Sequence, residues 1–138
     1  MRLLRVVVLA FAAFLVCAPI AAAGETDPLF VNLTSDNGHR SNMALVFSKN
    51  QLDRKHAVTI FLNDRGVLLA AKSGSKKFKG QQEALAGLLK QGATVLACPF
   101  CMKHYRVKEA DLLDGVKVGS PELVGAALFK DNTKTMTW

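Results

Sequence analysis

The chain has 138 residues, half of them hydrophobic, and 18 Lys and Arg against 11 Asp and Glu give a formal net charge of +7. Such a length holds one domain, and the apolar content excludes a disordered chain. The basic balance alone would admit a nucleic acid, but no basic stripe interleaved with aromatics is present and the amino terminus points out of the cytoplasm, so no nucleic-acid partner is expected.

Arg2 and Arg5 precede an apolar run over residues 6–16, and the small residues Ala21, Ala22 and Ala23 follow. A basic start, a short apolar middle and an A-x-A end define a secretory signal peptide over residues 1–23. Pro19 interrupts the longer run over residues 6–23 and argues against a permanent membrane anchor. Cys17 follows Val16 rather than a small residue, which argues against lipid attachment there. The expectation is a domain over residues 24–138, periplasmic or secreted, with no stable membrane insertion after cleavage.

Beyond the leader, strand-like and helix-like segments alternate. Leu29-Phe30-Val31-Asn32-Leu33 reads as a strand, and residues 39–52 place Met43, Val46 and Phe47 at helical spacing. Ala57-Val58-Thr59-Ile60-Phe61-Leu62 reads as a strand covered on both faces, ended by Asn63-Asp64. Residues 66–71 fit either a strand or a helical turn. Lys72, Lys76, Lys77 and Lys79, spaced by Ser and Gly, read as a solvated loop. A helix is expected over residues 81–91, with Ala84, Leu85, Leu88 and Leu89 as its stripe and Gly92 as its stop. Ala93-Thr94-Val95-Leu96-Ala97 is the next buried strand and runs into Cys98. Residues 109–113 suggest a short helix. Ser120-Pro121-Glu122 opens the last helix, and residues 134–138 form a final strand. The predicted fold is α/β: a single three-layer domain with a mainly parallel sheet of about five strands flanked by helices.

Two cysteines follow the leader, Cys98 and Cys101. A bridge across Pro99 and Phe100 alone would constrain little chain entropy, so chemistry explains the pair better than stability. Pro99 fits the first position of a helix, which puts Cys98 at the cap and Cys101 in the first turn, both facing unpaired amides that favour thiolate. Lys103 and His104 follow and add positive potential. Haem attachment would need histidine directly after Cys101, where Met102 stands. A thioredoxin-like domain would carry the motif after its first strand, and here several elements precede it, although thiol–disulfide exchange remains open as a reaction. Cys98, Cys101 and His104 form an alternative Cu(I) or Zn(II) set, with His39, His56 or a carboxylate as a fourth ligand.

The chain resembles the DsrE/DsrF-like proteins, small α/β domains associated with sulfur transfer. The likeness lies in the strand Phe30-Val31-Asn32-Leu33, the helix with Met43-Ala44-Leu45-Val46-Phe47, the strand and turn through Asp64-Arg65-Gly66-Val67, and the segment Val95-Leu96-Ala97-Cys98-Pro99-Phe100-Cys101-Met102. It implies a persulfide-carrying or sulfurtransferase-like activity at Cys98 or Cys101, tuned by Lys103 and His104, with no cofactor. It further implies sulfur donor and acceptor proteins or small sulfur compounds as partners, and a homo-oligomer.

Overall fold

A computed structural model of the protein describes residues 24–138. The expected signal peptide, with Cys17, lies outside the described residues.

Five strands form one sheet: β1 (Leu29–Leu33), β2 (Val58–Leu62), β3 (Thr94–Ala97), β4 (Lys117–Val118) and β5 (Lys134–Thr137). Their order is β4-β3-β2-β1-β5, and every pairing is parallel. Four helices flank the sheet: α1 (Gly38–Asp53), α2 (Ser75–Lys90), α3 (Pro99–Tyr105) and α4 (Pro121–Leu128). The expected α/β fold with a parallel sheet of five strands is the one observed.

The strand register explains where the core lies. Val31 pairs with Ile60 and Ile60 with Val95, while Leu33 pairs with Leu62 and Leu62 with Ala97. With a side-chain period of two, these residues line one face of the sheet. They are buried there against Ala44 and Leu45 of α1 and Phe78, Leu85 and Leu88 of α2. Each fully buried Leu or Ile contributes about 1.5–3 kcal/mol relative to exposure.

Helix α1 is capped by Asn37, whose Oδ1 accepts from the amides of His39 and Arg40. Helix α4 is capped by Ser120, whose Oγ accepts from the Leu123 amide. Three segments refine or correct the sequence expectation. Residues 66–71, which fit either a strand or a helical turn, take the helical alternative over most of their length, within a 3₁₀ stretch at Asp64–Ala70. The lysine-rich segment is helical rather than an open loop: a 3₁₀ turn at Lys72–Gly74 leads directly into α2 at Ser75. Phe78 is buried at that point and pins the segment, and Lys72 and Lys77 pair with Asp114 and Asp36. The two-residue strand β4 was not expected, since Lys117-Val118 is too short to show a period.

Candidate functional site

In parallel sheets, reactive groups collect where the strands end at their carboxyl side. Here β1 runs into Thr34-Ser35-Asp36, β2 into Asn63-Asp64-Arg65 and β3 into Cys98. The Cys98 amide still donates to the Leu62 carbonyl at 2.9 Å, which ties the first cysteine to the sheet.

Pro99 opens α3 at its first position, and Cys98 is the cap residue. The Cys98 sulfur accepts from the Cys101 amide at 3.3 Å and from the Cys101 thiol at 2.8 Å. Both cysteines are free thiols and half-buried. Met102, the next residue, is buried in the core and anchors the helix behind them. Phe100 points the other way and is 81% exposed, so the reactive turn presents an aromatic side chain to solvent.

The Asp64 amide donates to the Cys101 sulfur at 3.1 Å, and the Tyr105 hydroxyl donates to the Asp64 carboxylate. Next to them, Arg65 makes a two-pronged ion pair with Asp36 at 2.7 and 2.9 Å, and Lys77 joins at 3.1 Å. These cations hold the Asp36 carboxyl at about 2, with the Arg65 hydrogen bond as the largest cause. The Arg65 guanidinium lies 6.0 Å from the centre of the Tyr105 ring. Asn63 and Asn32 bond side chain to side chain between β2 and β1.

Gly66 lets the loop after β2 close. A Cβ there would stand 2.1 Å from the Leu33 carbonyl oxygen, so only glycine fits. Its amide donates to the carbonyls of Asn63 and Thr34.

Burial pushes the Cys101 thiol up, and its hydrogen bond to Cys98 acts in the same direction, while the Asp64 amide pulls it back. The helix-start argument alone expects lowering at both sulfurs, but for Cys101 the desolvation wins. The two sulfurs are also served differently: the Cys98 sulfur accepts from the Cys101 amide, and the Cys101 sulfur accepts from the Asp64 amide.

The residues proposed from sequence are brought together unequally. Cys98 and Cys101 touch. Lys103 and His104 are exposed on the last turn of α3, and among the described residues neither side chain hydrogen-bonds to a sulfur. The His104 ring packs edge-on against Tyr105, 4.7 Å between centres. Among the described residues, no group of three or more His, Cys, Asp and Glu side chains is placed to hold a metal ion, so Cys98, Cys101 and His104 do not converge as the alternative set requires. His56 is engaged elsewhere, its Nδ1 lying 2.7 Å from the Asp27 carbonyl. Sequence reasoning missed Asp64, Tyr105 and Arg65 as parts of the site. The turn signal at Asn63-Asp64 was visible, but not what it faces.

The family model for DsrE/DsrF-like proteins matches residues 27–133. The chain belongs to the DsrE/DsrF-like family. An uncharacterized protein of Methanocaldococcus jannaschii, MJ0989, is 32% identical over 98 residues, which cover 70% of this chain and 86% of that protein. Among solved structures, the protein of unknown function MTH1491 from Methanobacterium thermoautotrophicum matches with a TM-score of 0.67 at 16% identity, covering 81% of this chain and 99% of its own. The ychN protein of E. coli matches with a TM-score of 0.60 at 22% identity, covering 80% and 99%. These structures share the fold. DsrE/DsrF-like membership indicates a sulfur-relay-like role. Among the described residues, no helix is long and apolar enough to cross a membrane.

Proposed function

We propose that this protein handles sulfane sulfur outside the cytoplasm, with Cys98 as the carrier and Cys101 as the resolving thiol. The observation that carries this reading is the approach of the two sulfurs to 2.8 Å, with the Cys101 amide donating to the Cys98 sulfur at 3.3 Å. The Cys98 sulfur is fixed to the end of a strand and accepts from the Cys101 amide, which helps it carry negative charge as a nucleophile, while burial works against the anion at Cys101.

Loading is a displacement. The Cys98 thiolate attacks the outer sulfur of a donor persulfide R–S–SH, a new S–S bond forms, and RS⁻ leaves with the electron pair. Cys98–S–SH results without net oxidation. Unloading has two routes. An acceptor thiolate takes the outer sulfur and restores the Cys98 thiolate. Otherwise Cys101, once its proton has passed to solvent, attacks the Cys98 sulfur and expels HS⁻. The outer sulfur is then reduced to sulfide, the pair is oxidised to a disulfide, and an external dithiol must reset it. Lys103 and His104 supply positive potential for anionic sulfur compounds. The exposed Phe100 offers a contact for a donor or acceptor protein, and a homo-oligomer fits the family resemblance.

A second reading rests on the same contact. Two thiols this close also suit thiol–disulfide exchange, with no sulfur carried. Intact mass after anaerobic exposure of the reduced protein to polysulfide separates the two. Gain of one sulfur atom, abolished in Cys98→Ser and longer-lived in Cys101→Ser, is the expected result. No adduct in either single variant, with only loss of two hydrogens in the wild type, would overturn carriage in favour of exchange.

A further inference from the structure

Asp64 stands in an unusual backbone conformation. Its φ is +42°, the left-handed region that L residues avoid and that Asp and Asn tolerate best. Such conformations persist where the surroundings hold them. Two contacts hold this one, and both run to α3. The Asp64 amide reaches Cys101 in the first turn, and the Asp64 carboxylate accepts from Tyr105, the last residue of the helix. The loop after β2 therefore grips α3 at both ends.

Tyr105 is itself braced. The Arg65 guanidinium faces its ring and is fixed by Asp36, and the His104 ring abuts its edge. The charged and titratable groups near the Cys101 sulfur are thus the Cys98 thiol, the Asp64 carboxylate, the Tyr105 hydroxyl and Arg65. Lys103 and His104 lie further along the same helix.

We infer that Asp64 is a positioning residue for Cys101: its main-chain amide serves the Cys101 sulfur, and the Tyr105 hydroxyl, by holding its carboxylate, keeps that amide on target. The amide stabilises the anion that forms when Cys101 loses its proton to solvent. The clamp therefore governs how readily the resolving thiol acts. This purpose rests on the sulfur-handling reading above, but the clamp is testable without it.

The test uses Cys98→Ser, which isolates Cys101, and follows iodoacetamide alkylation across pH, with the modified peptide assigned to Cys101 by mass spectrometry. Adding Tyr105→Phe should slow alkylation at neutral pH about three- to tenfold and move the profile to higher pH. Asp64→Ala loses the same anchor together with a carboxylate charge that raises the thiol, so its alkylation should run slower than that of Asp64→Asn, which loses the charge alone. Asp64→Asn keeps an acceptor for the hydroxyl and tolerates the backbone angle, so its rate should stay within about twofold of the parent or rise. A Tyr105→Phe profile that matches the parent, even with a lowered melting temperature, would reduce the clamp to a fold contact and overturn the inference. So would an Asp64→Asn profile shifted as far as that of Asp64→Ala. No sulfur donor enters this assay. Failure to load sulfur sinks the functional reading and leaves the clamp standing, whereas an unmoved Tyr105→Phe profile sinks the clamp and leaves loading intact.

Discussion

The centre of the sheet and the last quarter of the chain are built differently. Strands β1, β2 and β3 are buried between neighbours, and the loops after them are locked by Gly66 and by the Asp36–Arg65 pair. In the last quarter of the chain, α4 contains no buried residue, β5 is exposed along its length, and Phe129 and Leu123 are open to solvent. The thiol pair sits on the first kind of structure. The pair is thereby held by the more deeply buried part of the molecule.

This contrast can be broken most severely at Gly66. Gly66→Ala forces a Cβ onto the Leu33 carbonyl and should cost about 3 kcal/mol or more, seen as a large loss of urea midpoint or of soluble protein. A neutral result would mean that the loop after β2 can move. Leu85→Ala leaves a cavity in the core and should cost about 3 kcal/mol, whereas Leu123→Ala, at a side chain 46% exposed, should cost less than about 1 kcal/mol. Equal losses by chemical denaturation would erase the distinction between the two regions.

Acid gives a smaller and directional test. Asp36 has a depressed folded pKa of about 2, so its stabilisation is fully present above the unfolded carboxylate pKa and is lost as pH falls through about 4 towards 2. With Arg65 and Lys77 both exposed to screening, the contribution should be about 1–2 kcal/mol. Denaturation of wild type and Asp36→Asn should therefore differ at pH 6 and converge near pH 2. The smallest effect belongs to the α4 cap. Ser120→Ala should cost about 0.5–1 kcal/mol and leave thiol alkylation rates unchanged. A change in those rates would show that the exposed region talks to the site.

What could be read beforehand was local. Pro99 and the spacing of Cys98 and Cys101 predict a capped helix start, because the interaction spans three residues. The strands and the parallel sheet follow from apolar runs alternating with helical stripes. Contacts between distant segments were not legible. Asp64 and Tyr105 are 41 positions apart, and nothing in either neighbourhood states that they meet. The start of α2 was hidden for another reason. Lysines with Ser and Gly look like loop by composition, and only the burial of Phe78 and the ion pairs with Asp36 and Asp114 show why that segment coils. Burial also pushes the Cys101 thiol up, which a helix-start argument cannot weigh from sequence.

Tyr105 is the single tyrosine of the sequence and Trp138 the single tryptophan. The phenol lies at the reactive end, and its bond to the Asp64 carboxylate holds its ionisation above the ordinary tyrosine range. The indole packs on Phe47 of α1, 5.5 Å between ring centres. Nature has thereby labelled the molecule optically. Ultraviolet difference spectra in alkali report one chromophore beside Cys101, and indole fluorescence reports another against α1. Both can be followed on the unmodified protein during its exposure to polysulfide.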